Sequence, residues 1–363
     1  MRNIFLIPAV MAIILVLANC GPKLNKPTLT VEGVHNTMVL EPAVVTDTTP
    51  NDTDDPAIWI NPADPSQSLV IGTDKGDSTG GLFVFDLQGK LVPSKCVHPM
   101  KRPNNVDVEY GLDYPGKKID IAACTERGRQ MIRVFSLPDM KAIDNGGISV
   151  FEGDSLRDPM GIALYKDPAT EIIYAFVGRK EGRDNEYIWQ YKLTADSTGV
   201  VTGQVVRKFG TYSGKKEIEA IVVDDALGYV YYSDEQVGVR KYSASPDGGN
   251  DQLALFATEH VVADHEGIAI YQSSDKTGYL IVSDQGANRF HVFPREGEKG
   301  NPHSHPLLKV FHTRAVETDG CEVVSLPLNG IFQHGLFVAM STDKTFHFYK
   351  WEDIAEDDLD VAH

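Results

Sequence analysis

Carboxylates return at one phase of this chain, each time beside an apolar run. They stand in "DDPAIW" (Asp54, Asp55), "NNVDV" (Asp107), "EIEAI" (Glu219), "DHEG" (Asp264, Glu266) and "ETDG" (Asp319). Any one of them alone reads as a turn cap or a solvated loop residue. Gathered from separate copies at one point, they cannot all stay ionised unless their pKa values rise or cations bind. The donors are oxygens of Asp, Glu, Asn and Gln with no His or Cys cluster beside them, a set that favours Ca²⁺ over zinc or copper.

Cations follow at matching strand-to-turn positions. Lys75 comes after "IGTD", Arg127 lies in "CTERGRQ" and Lys180 in "VGRKEG", with Arg179 and Lys101–Arg102 close by. Cations from the first half of the chain facing acids from the second half would make a bipolar mouth. Such a mouth suits a ligand with several phosphates, held by Lys and Arg and bridged by metal. Asp234, Glu235 and Asp284 end the next apolar runs and are expected to join the ring of acids.

The elements that must carry these residues repeat six times. Each copy reads as a polar start, an apolar segment, a turn and a second apolar strand, as in "DDPAIWINPADPSQSLVIGTD" and "DHEGIAIYQSSDKTGYLIVSD". Asp55, Asp107, Met160, Glu219, Glu266 and Asp319 correspond at intervals of roughly 47 to 59 residues, the period of four-stranded blades. Strand-like runs such as "GLFVFDL", "MIRVFSL", "YIWQYKL" and "RFHVFPR" fall between the copies. Helical periodicity is confined to "WEDIAEDDL". All-β units of four antiparallel strands, closed so that no edge stays open, predict a six-bladed β-propeller. Its innermost strands would aim corresponding side chains at one end of a central channel.

Composition narrows the partners. With 51 acidic and 34 basic residues the formal charge is −17, which repels the phosphates of nucleic acid. Arg2, the apolar run from Ile4 to Ala18 and "LANCG" read as a bacterial lipoprotein export signal. This gives a signal peptide over 1–19, lipidation at Cys20, a tether over 20–45 and the propeller over 46–363. The expected protein is exported and lipid-anchored, periplasmic or at the cell surface, touching the membrane only through its anchor. A closed ring gives no reason to expect more than a monomer. Cys96, Cys124 and Cys321 lack zinc spacing, and either one disulfide or three buried small hydrophobes fits them. "HSHP" at 303–306 reads as a loop, and "GKK" at 214–216 is no phosphate loop because no helix follows it.

On these motifs the chain resembles the β-propeller phytases, the alkaline, calcium-dependent class that removes phosphate from phytate. "DDPAIW", "NNVD", "GRKEG", "EIEAI" with "SDE", "DHEG", "SDQG" and "ETDG" come in that family's order, and the likeness runs on to "FYKWEDIA". The resemblance implies several Ca²⁺ ions at the mouth and a 3-phytase-type hydrolysis of phytate (myo-inositol hexakisphosphate) to lower inositol phosphates. In that chemistry a water held by Ca²⁺ attacks phosphorus. By motif, Asp54, Asp55, Asp107, Glu219, Asp264, Glu266, Gln285 and Asp319 would be calcium or water ligands. Asn104 and Asn105 sit in the matching second-blade motif. Glu235 would stand by the attacked phosphate, a catalytic group with Lys75, Arg127 and Lys180. Those three cations, with Arg179 and Glu181, would hold substrate.

Two departures qualify the likeness. Met160 stands where the family carries a tyrosine, and "MSTDK", with Ser341 and Asp343, replaces a more acidic loop. Two other functions compete with this one. A calcium-dependent propeller lactonase or esterase would have no use for Lys75, Arg127 and Lys180 converging on the channel. A non-catalytic ligand-binding propeller would need no crowded acid cluster at one mouth.

Overall fold

The computed structural model describes residues 38–362. The signal peptide, Cys20 and most of the tether lie outside the described residues. Six sheets follow in chain order, each with neighbouring strands antiparallel. Blade 1 comprises Thr53–Trp59, Leu69–Asp74, Gly80–Phe85 and Val97–Met100. Blade 2 comprises Pro103–Tyr114, Lys117–Glu126, Met131–Ser136 and Lys141–Ala142, with Ile148–Ser149 also on its third strand. Blade 3 runs through Pro159–Lys166, Ile173–Arg179, Ile188–Ala195 and Val201–Phe209. Blade 4 has Ile221–Asp224, Tyr229–Asp234, Gly238–Ser243 and Ala254–Phe256. Blade 5 has His265–Gln272, Gly278–Asp284, Arg289–Pro294 and Lys309–Thr313. Blade 6 has Cys321–Val324, Leu336–Ser341 and Thr345–Lys350. The first strand of each blade touches the first strand of the next, and that of blade 6 touches blade 1, so the ring closes.

One expectation needs correcting. Residues 39–45 are not tether: Val44–Val45 forms the fourth, outermost strand of blade 6, antiparallel to Thr345–Lys350. Just before it, Val39–Leu40 adds to the outer edge of blade 5, parallel to Lys309–Thr313. The physical reason is the open edge that three strands would leave on blade 6, whose unpaired backbone groups the N-terminal segment satisfies.

Apolar side chains explain the stacking. Six buried clusters each draw on two adjacent blades: for example Ile121, Val134, Ile162 and Val177 between blades 2 and 3, and Phe85, Phe83, Phe346 and Phe348 between blades 1 and 6. Every sheet is therefore buried on both faces, so runs such as "LFVF" and "YVYY" are apolar without strict alternation. The five-residue helix Trp351–Ala355 stacks its Trp351 ring on Tyr271, with centroids 3.7 Å apart. Cys96, Cys124 and Cys321 are free thiols, the last two buried in the inter-blade packing.

Candidate active site

The repeat aims its side chains through a local irregularity. Pairing between first and second strands skips from Thr53 to Pro56, Pro103 to Val106, Pro159 to Ile162 and His265 to Ile268. Inside the skips lie Asp54–Asp55, Asn104–Asn105, Met160–Gly161 and Glu266–Gly267. A bulge releases such residues from the in-and-out alternation of a strand and re-aims them. Adjacent aspartates can thus serve different places: Asp54 meets Lys75, whereas Asp55 accepts the Val106 amide of the next blade (3.0 Å). Hydroxyls on the second strands hold the neighbouring blade in register. Thr125 donates to the Met160 carbonyl (2.6 Å), Ser233 to that of Glu266 (2.8 Å) and Ser283 to that of Thr318 (2.8 Å). Blade 6 meets blade 1 so closely that a Cβ on Gly320 would lie 2.6 Å from the Asp54 carbonyl oxygen.

These devices bring together Asp54, Glu219, Glu235, Asp264, Glu266 and Asp319 with Lys75, Arg127 and Lys180. Lys75 Nζ bridges Asp54 Oδ1 (2.9 Å) and Asp319 Oδ2 (2.6 Å), and Gln285 Nε2 donates to Asp319 Oδ1 (2.5 Å). Asn104 Nδ2 donates to Glu219 Oε1 (2.9 Å) and to Asn105 Oδ1 (3.0 Å). Arg127 directs one guanidinium nitrogen at the Met160 sulfur, in the place where the likeness implied a tyrosine hydroxyl. Lys180 pairs with Glu217 (3.1 Å), and with Glu181 it edges a shallow cavity of about 170 Å³.

Sequence reasoning missed two members. Lys216 Nζ lies against Glu235 Oε2, 2.7 Å from Asp264 Oδ2 and 3.6 Å from Glu266 Oε1, while Glu217 joins Glu219 and Glu235. With them the site holds seven carboxyls (Asp54, Glu217, Glu219, Glu235, Asp264, Glu266, Asp319) against four cations (Lys75, Arg127, Lys180, Lys216). Burial raises Asp54, Glu219 and Glu266 above the ordinary carboxyl range, helped by neighbouring acids. Burial pushes Glu235 up to about 8 in spite of Lys216. For Asp264, hydrogen bonds from Lys216 and Gln236 outweigh burial and hold the pKa low. Burial opposes the charge of Lys75, but Asp54 and Asp319 outweigh it and keep the ammonium protonated.

Two trios of carboxylate oxygens, Glu217–Glu219–Glu235 and Glu235–Asp264–Glu266, lie within 4.8 Å of one another. Glu235 Oε1, Glu266 Oε2 and Asp54 Oδ2 are buried with no hydrogen-bond partner. Such oxygens, at this spacing and in this excess, fit a divalent cation.

Other expected members stand elsewhere. Arg179 is fully buried, spread over Asp154 (2.9 Å), the Leu156 and Glu186 carbonyls (each 2.9 Å) and the Phe151 ring, so its guanidinium is engaged in bracing loops. Strand alternation decides this, turning Arg179 inward and leaving Lys180 for the turn. Asp234 and Asp284 likewise anchor loops, accepting from Arg240 (2.8 Å) and Arg289 (2.7 Å). Asp107 faces down the channel, its oxygens taken by the Val108 and Leu164 amides (2.6 and 2.7 Å).

There it joins Glu109, Asp225 and Glu322 around a cavity of about 230 Å³ lined by all six blades. Burial lifts Asp107 to about 7, Glu322 to about 8 and Asp225 to about 9. Ser341 and Asp343 are engaged in the last blade's turns, with Val316 and Thr345. His305 of "HSHP" accepts from the buried Lys241 through Nε2 (3.2 Å) while its Nδ1 meets the Pro294 carbonyl (2.7 Å), which pins that loop to blades 4 and 5.

Fold and site together define a six-bladed propeller with a mixed-charge mouth fitted to take a divalent cation. The comparisons with known proteins are in accord. The Phytase family profile matches residues 6–362, and the 3-phytase of Bacillus subtilis (strain 168) is 32% identical over 323 residues, 84% of this chain and 80% of that one. The chain belongs to the phytase family.

Proposed function

We propose that this protein is a calcium-dependent phosphomonoesterase that hydrolyses phytate to lower inositol phosphates and inorganic phosphate at the propeller mouth. The observation that carries the reading is the excess of carboxyls over cations, with buried carboxylate oxygens left unpartnered beside lysine and arginine. Phytate is dense in phosphate, and an acidic site receives it only when cations outnumber its own charge. Glu217, Glu219, Glu235, Asp264 and Glu266 would hold calcium, which when bound would supply the missing positive charge and lower the pKa of water there.

The chain's own residues supply the rest. Lys75 and Arg127 from one side and Lys180 and Lys216 from the other neutralise charge on the phosphoryl oxygens as water bonds to phosphorus and the P–O ester bond breaks. Glu235, with Oε1 free of hydrogen bonds, takes the proton of the attacking water. The departing inositol oxygen takes a proton from solvent water and Glu235 returns its own to solvent, so the protons balance. Asn104 fixes Glu219 and Gln285 fixes Asp319, so the carboxylates keep their places without substrate. The export signal and Cys20 complete the proposal: an exported, lipid-anchored monomer.

The test is phosphate release from phytate at pH 7–8 with Ca²⁺ and after chelation, for the native chain and for Glu235→Gln. Release that requires Ca²⁺ and falls by about a hundredfold or more in the variant, with an unchanged melting profile in Ca²⁺, is the expected result. Native turnover that persists after chelation would refute the calcium assignment, and near-normal turnover in Glu235→Gln would refute the role of Glu235.

A further inference from the structure

Among the four cations of the mouth, Lys216 differs in what it touches. Its ammonium lies among oxygens of Glu235, Asp264 and Glu266, and these three residues form one of the two trios that fit a divalent cation. At the equivalent place of the other blades, three residues before Asp54, Asn104, Met160, Glu266 and Asp319, stand Asn51, Lys101, Arg157, Ala263 and Val316. Lys101 and Arg157 share the charge, but Lys101 is exposed and the Arg157 guanidinium is turned away to the Val150 carbonyl (2.9 Å) and Ser149 Oγ (2.7 Å). Lys216 is thus a single insertion of positive charge into one metal-competent trio.

A calcium ion sits about 2.3–2.6 Å from its oxygens. An ammonium held 2.7 Å from Asp264 Oδ2 and touching Glu235 Oε2 fills the same space and satisfies the same lone pairs. Both cannot be held there, since a charge of two and a charge of one only a few ångströms apart repel strongly in a partly desolvated site. Departure is open to the lysine: its side chain is 37% exposed, whereas Glu235 has no exposure and Glu266 almost none. The carboxylates are fixed and the cation is the movable part.

We propose that Lys216 is a built-in counter-ion that shares its seat with the metal, so that calcium must displace its ammonium and the residue sets the calcium concentration at which the site fills. This rests on the calcium-dependent reading above. The ring of acids is then never left wholly unneutralised. In low calcium Lys216 holds Glu235, the group that would take the proton from water, in an ion pair. In high calcium the ammonium is freed on the solvent side of the trio, where an incoming phosphate arrives.

The test is calcium titration of the chelator-stripped full chain, followed by melting temperature, for the native protein, Lys216→Gln and Lys216→Arg. Lys216→Gln is expected to melt lower than the native protein without metal and to reach half its calcium-induced rise at roughly tenfold lower Ca²⁺ or less. Lys216→Arg, which keeps the charge, stays within about threefold of the native midpoint. An unchanged or higher midpoint in Lys216→Gln overturns the proposal while leaving calcium dependence in place. A native protein whose melting does not respond to Ca²⁺ overturns both.

A second measurement needs no variant. The rate at which acetic anhydride acetylates Lys216, read by peptide mass, is expected to rise several-fold when Ca²⁺ is added, because the freed amine loses its three carboxylate partners. A rate that falls or stays constant while melting shows calcium bound overturns the displacement.

Discussion

Replacing Lys75 with methionine keeps most of the stem's volume and deletes the ammonium that joins blade 1 to blade 6. That ammonium is 2.9 Å from Asp54 Oδ1 and 2.6 Å from Asp319 Oδ2, and Asp54 has no solvent exposure and a second oxygen already unpartnered. Removing one member of a buried ion pair costs about 3–5 kcal/mol, most of it the stranded charge. At roughly 2–4 °C per kcal/mol, the metal-free Lys75→Met variant should melt about 6–20 °C below the native protein at pH 8.

The loss has an upper bound. Burial already raises the Asp54 pKa, so at pH 5 that carboxyl can take up a proton and the gap should shrink. Added calcium should also narrow the gap, by supplying the charge that the ammonium gave. Turnover of phytate, in contrast, should remain depressed at saturating calcium, since no ammonium faces the phosphoryl oxygens from blade 1. Scanning calorimetry at the two pH values, with and without chelator, reads the first three statements and phosphate release reads the fourth. A metal-free variant melting within about 2 °C of the native protein at pH 8 would show that Asp54 and Asp319 do not depend on Lys75, and the reasoning would fail.

Other expectations are shorter. In the fold Asp107, Glu322 and Asp225 hold their protons up to about pH 7, 8 and 9, whereas in an unfolded chain they would ionise near 4. Between those limits the folded state binds more protons at these groups, and above pH 7, where the buried histidines of lowered pKa are neutral folded or unfolded, the chelated protein should lose stability as pH rises to 8.5; a melting temperature that climbs from pH 7 to 8.5 refutes the shifts. Arg179→Leu should lower the melting temperature by roughly 6 °C or more, through the stranded Asp154 and carbonyl groups, while the KM for phytate of the folded fraction stays within about threefold. A tenfold rise in KM would return Arg179 to the substrate. Cys20→Ser should move the expressed protein from the detergent-soluble membrane fraction to the aqueous one, and an unchanged distribution argues against a lipid at Cys20.

The ring of blades was legible because the chain states it six times, each copy with a polar start and two apolar strands. The acids of the later copies were legible for the same reason, since Glu219, Glu266 and Asp319 occupy one phase and converge, but in blades 1 and 2 the bulges put Asp54 and Asn104 at the matching place and not Asp55 and Asp107. What escaped has particular causes. Lys216 has no functional equivalent in any other copy, so no repeat could announce it. Val39–Leu40 and Val44–Val45 are two-residue strands, too short to carry a period. Glu109 and Asp225 were passed over inside apolar runs, although Glu109 follows Asp107 by two and so shares its face. Arg179 and Lys180 are adjacent in sequence, but a strand sends neighbours to opposite sides.

The pairing of Val44 with Phe348 has a bearing on how the molecule is made. These residues are 304 apart in the chain, and at about 5–20 residues per second the first waits roughly 15–60 s for the second to be synthesised. Until then the Val44–Val45 strand has no partner, although every residue of the mouth up to Asp319 has already been made. The outer edge of blade 6 is therefore the last pairing that the chain can complete. A polypeptide cut short before Thr345–Lys350 would carry every residue of the mouth and still leave Val44–Val45 without the strand it covers.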